Sequence, residues 1–246
     1  MFLYETHMHT NTVSACAVST PAEQVFAYKQ RGYTGIIVTD HFLNGNAINP
    51  GGTSWSNKIE FFIKGYELAK KHGDQIGLDV FFGWEYTIHG SDFLTYGLTS
   101  DFLLKHPELM NSIPIKDYSR LVHDAGGFLA QAHPFRRDFW VKSPFPVSSS
   151  FIDAIEVYNG GMPPQINKLA HDHAQSHKMP MIAGTDSHSS ELSLTGGIKL
   201  RNKAKSIHGL IDAIKNKKSE LFLPQRGGAG LCGLMKEKGL LHKFAQ

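Results

Sequence analysis

The sequence predicts an α/β fold in which strands and helices alternate and the strands close into a parallel barrel. Three observations carry this reading. Short apolar runs alternate with capped helical stretches along most of the chain. Seven or eight such units are present, which suits a closed barrel better than the alternative, an open doubly wound sheet. Histidines and acids gather at the C-terminal ends of the apolar runs, where barrels of parallel strands build their sites.

The elements follow in order. FLYETH (2–7) reads as the first strand. A helix opens with Thr20 as N-cap, Pro21 at the first helical position and Glu23 three residues after the cap, and it stops at Gly32. GIIVTD (35–40) is the second strand, and a helix runs from Ser56 to Gly73. LDVFFGWEYT (78–87) and DFLTYGL (92–98) are strands. The helix DYSRLVHDAGG ends at Gly126-Gly127, followed by the strands GFLAQAH (127–133) and AIEVYN (154–159). A helix starts near Pro164, PMIAGTD (180–186) is a strand, a last helix starts near Ser206, and LFLP (221–224) closes the series. Residues 1–246 read as one domain, with 224–246 as a C-terminal extension.

Composition narrows the function classes. A chain of 246 residues with 41% apolar and 19% charged side chains can bury a sizeable core. The formal charge of +3 does not demand a nucleic-acid partner. The most basic stretch, 199–218, lacks interleaved aromatics and reads as a solvated helix face. Only two cysteines are present, so no disulfide framework is implied, and no apolar run approaches the roughly 20 residues of a membrane span. The N-terminal stretch does not read as a signal peptide. A cytoplasmic enzyme is expected.

Histidine is abundant, at 14 residues. His7 and His9 share a strand face because residues i and i+2 point the same way. Asp40 and His41 end the second strand, Glu85 lies on the third, His133 ends the fifth, Glu156 and Asn159 lie on the sixth, and Asp186 and His188 end the seventh. Imidazole and carboxylate donors suit Zn²⁺, Mn²⁺ or Fe²⁺. A cluster of this size exceeds the needs of one tetrahedral ion, so two or three are expected. Neighbouring ions can share a hydroxide and clamp a phosphoryl centre. By contrast, His171, His173 and His177 lack a strand-end context and read as solvated helix surface.

Four motifs in order, HMH at 7–9, TDH at 39–41, AHP at 132–134 and GTDSH at 184–188, with Glu85 between the second and third, resemble those of the PHP domains, named for polymerase and histidinol phosphatase. The resemblance covers roughly residues 3–223 and is of the stand-alone type. It implies a distorted (β/α)7 TIM-like barrel with a di- or trinuclear metal centre on its C-terminal face. It also implies hydrolysis of a phosphomonoester or small phosphodiester by a metal-bound hydroxide. By the same resemblance, His7 and His9 bind a first ion, Glu85 bridges two ions and Asp186 completes the first. His133 serves a second ion, His41 and His188 serve a third, and Asp40 joins the catalytic apparatus by orienting His41.

The sequence departs from the family pattern twice. Cys16 stands nearest the place where members carry an Asp or His for the third ion. Leu94 occupies the place of a histidine of the second, with Asp92 and His89 as the nearest substitutes. Arg136, just past His133, is placed to grip a substrate phosphate. The Gly- and Asn-rich loop 44–55 reads as a lid or substrate wall. The expected partner is a small phosphorylated molecule, with no membrane and no specific nucleic acid. Two other readings compete: a barrel amidohydrolase cleaving a C–N bond, against which TDH, GTDSH and the lack of a strand-end lysine argue, and a non-catalytic metal-binding module.

Overall fold

The computed structural model describes residues 1–52, 54–138, 141, 146–191 and 195–224. The extension at 225–246, including Cys232, lies outside the described residues, as does Thr53 of the loop at 44–55. One sheet organises the rest. Its strands are β1 (Phe2–Met8), β2 (Gly35–Val38), β3 (Asp79–Ile88), β4 (Ser91–Tyr96), β5 (Phe128–Gln131), β6 (Ala154–Asn159), β7 (Met181–Gly184), β8 (Gly197–Leu200) and β9 (Glu220–Phe222). Their spatial order is β7-β6-β5-β4-β3-β2-β1-β8-β9. The sheet curls until β1 meets β7: Met8 bridges Ser187 in parallel, and the Asp186 N–H donates to the His7 carbonyl at 2.8 Å. The result is a nearly closed, distorted TIM-like barrel of seven strands, with β8 and β9 attached to the outer half of β1.

Helices cover the outside of the barrel: α1 (Pro21–Gln30), α2 (Trp55–Phe62), α3 (Lys64–Ile76), α4 (Ser100–Lys105), α5 (Ile115–Asp124), α6 (Pro164–Ser176) and α7 (Ile207–Lys215). The Thr20–Glu23 capping box opens α1 as its sequence requires. No helix among the described residues is long and apolar enough to cross a membrane.

Three expectations need correction. Strands β3 and β4 do not sit in a βαβ unit; they form an antiparallel hairpin, so β4 also runs antiparallel to β5. The turn is His89-Gly90 with φ of 51° and 84°, the two-residue geometry that matches strand twist. The helix expected from Ser56 to Gly73 is two helices broken at Ile63, and the second ends at Gly77 in the left-handed conformation. Gly73 instead lies inside α3, where a Cβ would come within 2.5 Å of Val80, so the close approach of helix to strand requires glycine. The basic stretch expected to be a helix face begins with strand residues, since Lys199 and Leu200 belong to β8; only its later part is α7.

Behind the barrel wall, the partly buried Asp153 carboxylate accepts from the Leu129 N–H at 2.9 Å and bonds His123 Nε2 at 2.9 Å, while its other oxygen lies 3.0 Å from Lys215 Nζ. Burial alone would raise this carboxyl, but the Leu129 N–H, Lys215 and His123 outweigh it and hold its pKa below the usual range. Asp153→Ala should cost about 1.5–3 kcal/mol and lower Tm by roughly 4–10 °C by calorimetry. A depressed folded-state pKa stabilises above the unfolded value and is lost as pH falls through the folded one. The wild-type advantage should therefore persist at neutral pH and shrink below about pH 4; an advantage unchanged in strong acid would remove the ionic account.

Candidate metal centre

The curled sheet brings distant residues to one mouth. His7 ends β1, with His9 two residues on; His41 follows β2, Glu85 lies on β3, Asp92 on β4, His133 follows β5, and Asp186 and His188 follow β7. Glu85 sits mid-strand yet at the mouth because β3 outlasts its parallel neighbour, whose last paired residue, Val38, faces Phe82. Two turns at the mouth are strained. His133 and Asp186 have φ of 27° and 53°, a region non-glycine residues seldom adopt, and such strain concentrates at functional positions.

Four side chains meet at the mouth around the His7 and His9 imidazoles. The Nε2 atoms of His7 and His9 lie 3.1 Å apart. His7 Nε2 is 3.4 Å from Glu85 Oε1 and 3.4 Å from Asp186 Oδ1, and His9 Nε2 is 3.5 Å from Glu85 Oε2 and 3.0 Å from Asp186 Oδ1. Donors at about 2.0–2.1 Å from a tetrahedral ion are about 3.3–3.4 Å from one another. The distances among the two imidazoles, and from each of them to Glu85 and Asp186, are therefore those of donors that share one ion.

Glu85 reaches beyond this set. Its Oε1 is 3.2 Å from His133 Nε2 and its Oε2 is 2.7 Å from His41 Nδ1. His133 in turn lies 3.8 Å from Asp92 Oδ2, so Glu85, Asp92 and His133 form a second donor group. Leu94 pairs with Glu85 across the hairpin and belongs to the apolar barrel filling; Asp92, two residues earlier and so on the same face, reaches the mouth instead. His89 sits exposed at the hairpin turn. His9, His41 and His188 form a third group. Cys16 lies against His188 and His41, whose influence overcomes burial and brings its thiol down to about 6.

The electrostatics are those of a dense buried cluster. Burial would raise the carboxyls of Glu85 and Asp186, but the surrounding imidazoles hold both well below the usual range, His41 and His7 acting on Glu85, and His7, His9 and His188 on Asp186. Burial opposes protonation of His7 and His41, yet Asp186, Glu156 and Glu85 around His7, and Glu85 beside His41, hold both well above the ordinary value. Burial together with His188 and His41 pushes His9 well below it.

Asp40 is arranged differently from its expected partnership with His41. Its carboxylate accepts from the Thr10 N–H (2.6 Å), the Thr10 hydroxyl (2.7 Å) and the Ser14 hydroxyl (2.8 Å). Ser14 Oγ then accepts from the His41 N–H at 3.0 Å and lies 3.1 Å from His9 Nδ1. Asp40 thus positions His9 through Ser14 and meets His41 through that residue's backbone. Sequence reading missed Ser14 because nothing local marks it; the bond spans two loops. Arg136 lies 3.7 Å from Asp92 Oδ2 and is also paired with Asp138. His173 on α6 and His177 at the cap just past its end have no place in the cluster, and His177 Nδ1 bonds the His173 carbonyl.

The residues fit divalent ions on their own chemistry. Glu85 Oε2, Asp186 Oδ1 and His41 Nδ1 are buried and make no aligned hydrogen bond, although His41 Nδ1 lies 2.7 Å from Glu85 Oε2 and His9 Nε2 3.0 Å from Asp186 Oδ1; close but misaligned donors of this kind suit a shared ion better than a shared proton. His188 Nδ1 bonds the Asp186 carbonyl at 2.9 Å, leaving its Nε2 as the available donor.

The barrel is a distorted TIM-like fold that solved structures of low sequence identity share. A two-domain protein from Bacteroides vulgatus, described as containing a predicted PHP-like metal-dependent phosphoesterase, is similar to it with a TM-score of 0.67 at 15% identity, over 90% of this chain and 64% of that one. The lesion-specific endonuclease PfuEndoQ from Pyrococcus furiosus gives 0.60 at 14% identity, over 89% of this chain and 57% of that one. An amidohydrolase from Chromobacterium violaceum gives 0.53 at 15% identity, over 75% and 87%. The chain thus spans less than two thirds of the length of the first two. No protein-family model and no curated protein sequence matches it.

Proposed function

We propose that the chain is a metal-dependent phosphoesterase acting on a small phosphomonoester or phosphodiester. The observation that carries this is one buried carboxylate, Glu85, standing within 3.5 Å of four imidazoles that belong to different donor groups. His7, His9, Glu85 and Asp186 would hold a first ion. Glu85, His133 and Asp92 would hold a second, and His41 and His188, with Cys16 beside them, a third. Zn²⁺, Mn²⁺ and Fe²⁺ all suit these donors, Cys16 favouring zinc at the third and Asp92 favouring a harder ion at the second. Bound there, such ions supply an activated water and charge neutralisation at phosphorus. The chain's own residues hold that machinery in place: Asp40 and Ser14 fix His9, and the deep burial of Glu85 and His7 keeps bulk water from their inner faces. The scarcity of cysteine is consistent with a cytoplasmic setting.

The test is a side-by-side panel with added Mn²⁺ or Zn²⁺: aryl phosphomonoesters and phosphodiesters, sugar phosphates, oligonucleotides and N-acyl amides. Metal-dependent turnover of a phosphoester supports the reading, and turnover of amides alone would replace it with the amidohydrolase. Within that panel Arg136 is the phosphate-recognising group. A charged hydrogen bond contributes about 1.5–3 kcal/mol, so Arg136→Ala should lower kcat/KM by about 10- to 100-fold with metal content unchanged. Wild-type kinetics would confine Arg136 to its ion pairs with Asp92 and Asp138.

A further inference from the structure

Glu156 lies on β6, fully buried beneath the mouth, and its two oxygens are divided between the two main donor groups. Its Oε1 is 2.9 Å from His7 Nδ1. Its Oε2 accepts from the His133 N–H at 3.0 Å and from Asn159 Nδ2 at 2.9 Å. Asn159 Nδ2 also lies 3.2 Å from Asp186 Oδ2, and its own carbonyl oxygen is fixed by the Gly161 N–H at 2.9 Å. One carboxylate thereby touches or reaches three residues of the cluster from three different strands. The space it occupies is kept open by Gly184, where a Cβ would come within 2.9 Å of Oε1 and 2.5 Å of His7 Cβ.

We propose that Glu156 is a positioning residue that couples the two donor groups, fixing His7 with Nε2 toward the mouth while pinning the strained turn at His133. The proposal deepens the metal-dependent reading above and rests on it. An imidazole that gives one N–H to a carboxylate presents its other nitrogen as a lone pair, in a fixed orientation and with raised basicity. Because the second oxygen holds the backbone of His133, whose φ of 27° is otherwise unfavourable, the same group also sets where the second donor group stands. Glutamine cannot serve both arms. If its carbonyl faces His7, its NH₂ meets two donors, the His133 N–H and the Asn159 amide. If its NH₂ faces His7, the imidazole must carry its proton on Nε2 and loses the lone pair toward the mouth.

The experiment measures zinc affinity by competition with a chromophoric chelator, together with the imidazole N–H resonances of the zinc-loaded protein, with His7 assigned by its own substitution. Loss of a supporting partner typically weakens metal binding about 10- to 100-fold. Glu156→Gln should weaken the first and second equivalents together by that factor and shift or abolish the His7 Nδ1–H signal. Ser14→Ala, which removes the partner of His9 and of the His41 N–H and touches neither His7 nor His133, should spare the second equivalent and leave that signal in place. If Glu156→Gln does not fold, Glu156→Asp takes the same test, since its shorter arm cannot span His7 and His133 at once. Affinities within twofold of wild type, or loss of one equivalent with the His7 signal intact, would overturn the coupling role. Absence of zinc uptake by the wild type would instead remove the metal-dependent reading, and the proposal with it.

Discussion

Glu85→Gln is expected to release more than one equivalent of metal and to lower turnover by roughly 10³-fold or more. The carboxylate stands among the imidazoles of His7, His9, His41 and His133, so neutralising it removes a group that faces all four. Each bound ion supplies several kcal/mol of charge stabilisation at a reacting phosphoryl group, and each 1.36 kcal/mol is a factor of ten in rate. Glutamine keeps the shape of this fully buried side chain, so the barrel should remain folded while the donor set fails. Elemental analysis of the folded variant beside the wild type measures the first part, and kinetics under saturating Mn²⁺ or Zn²⁺ measures the second. Retention of the full metal complement would show that Glu85 belongs to no more than one ion.

Much of this site is legible in the sequence because strand ends obey short-range rules. His7 and His9 share a face by the period of two, and TDH, AHP and GTDSH each place a donor just past an apolar run; the curled sheet then brings all of them to one mouth. What is not legible depends on pairing and on contacts between loops. His89-Gly90 lacks the usual Asn-Gly or Asp-Gly signal, so the β3–β4 hairpin hides within an apparent series of βαβ units. That hairpin decides between Asp92 and Leu94: both lie on the Glu85 face, and only the register shows which one nears His133. GIKL of β8 adjoins a basic run, and Lys199 lies over the Phe222 ring at 4.3 Å, a contact no local pattern announces. Asp40 sits next to His41 in sequence, but the carboxylate turns to Thr10 and Ser14, so adjacency in the chain gives the wrong partner.

Removing metal should produce a second large effect, on stability. Without an ion, the mouth holds three carboxylates, Glu85, Asp92 and Asp186, and at least four buried imidazoles whose charges only partly match, and Glu85 Oε2, Asp186 Oδ1 and His41 Nδ1 make no aligned hydrogen bond. An ion that binds only the folded chain stabilises it by RT ln(1 + [L]/Kd), about 4 kcal/mol at a thousandfold excess over Kd. For a chain of this size that corresponds to a rise in Tm of roughly 8–16 °C. The four donors of the first group come from β1, β3 and the turn after β7, so its ion should assemble only on the folded barrel and should be the last removed by chelator. The second group has Glu85 and His133 beside Asp92, and the third has His41 and His188 beside Cys16 while sharing His9 with the first, so their ions should leave on dialysis. Thermal melts of dialysed, chelator-treated and Zn²⁺- or Mn²⁺-supplemented protein, each paired with metal analysis, should therefore resolve a large step for the first equivalent and smaller steps for later ones. Identical melting temperatures with and without chelator would show that no ion binds this mouth tightly. Three equivalents surviving dialysis would show that Asp92 and Cys16 complete their sites as firmly as Asp186 completes the first.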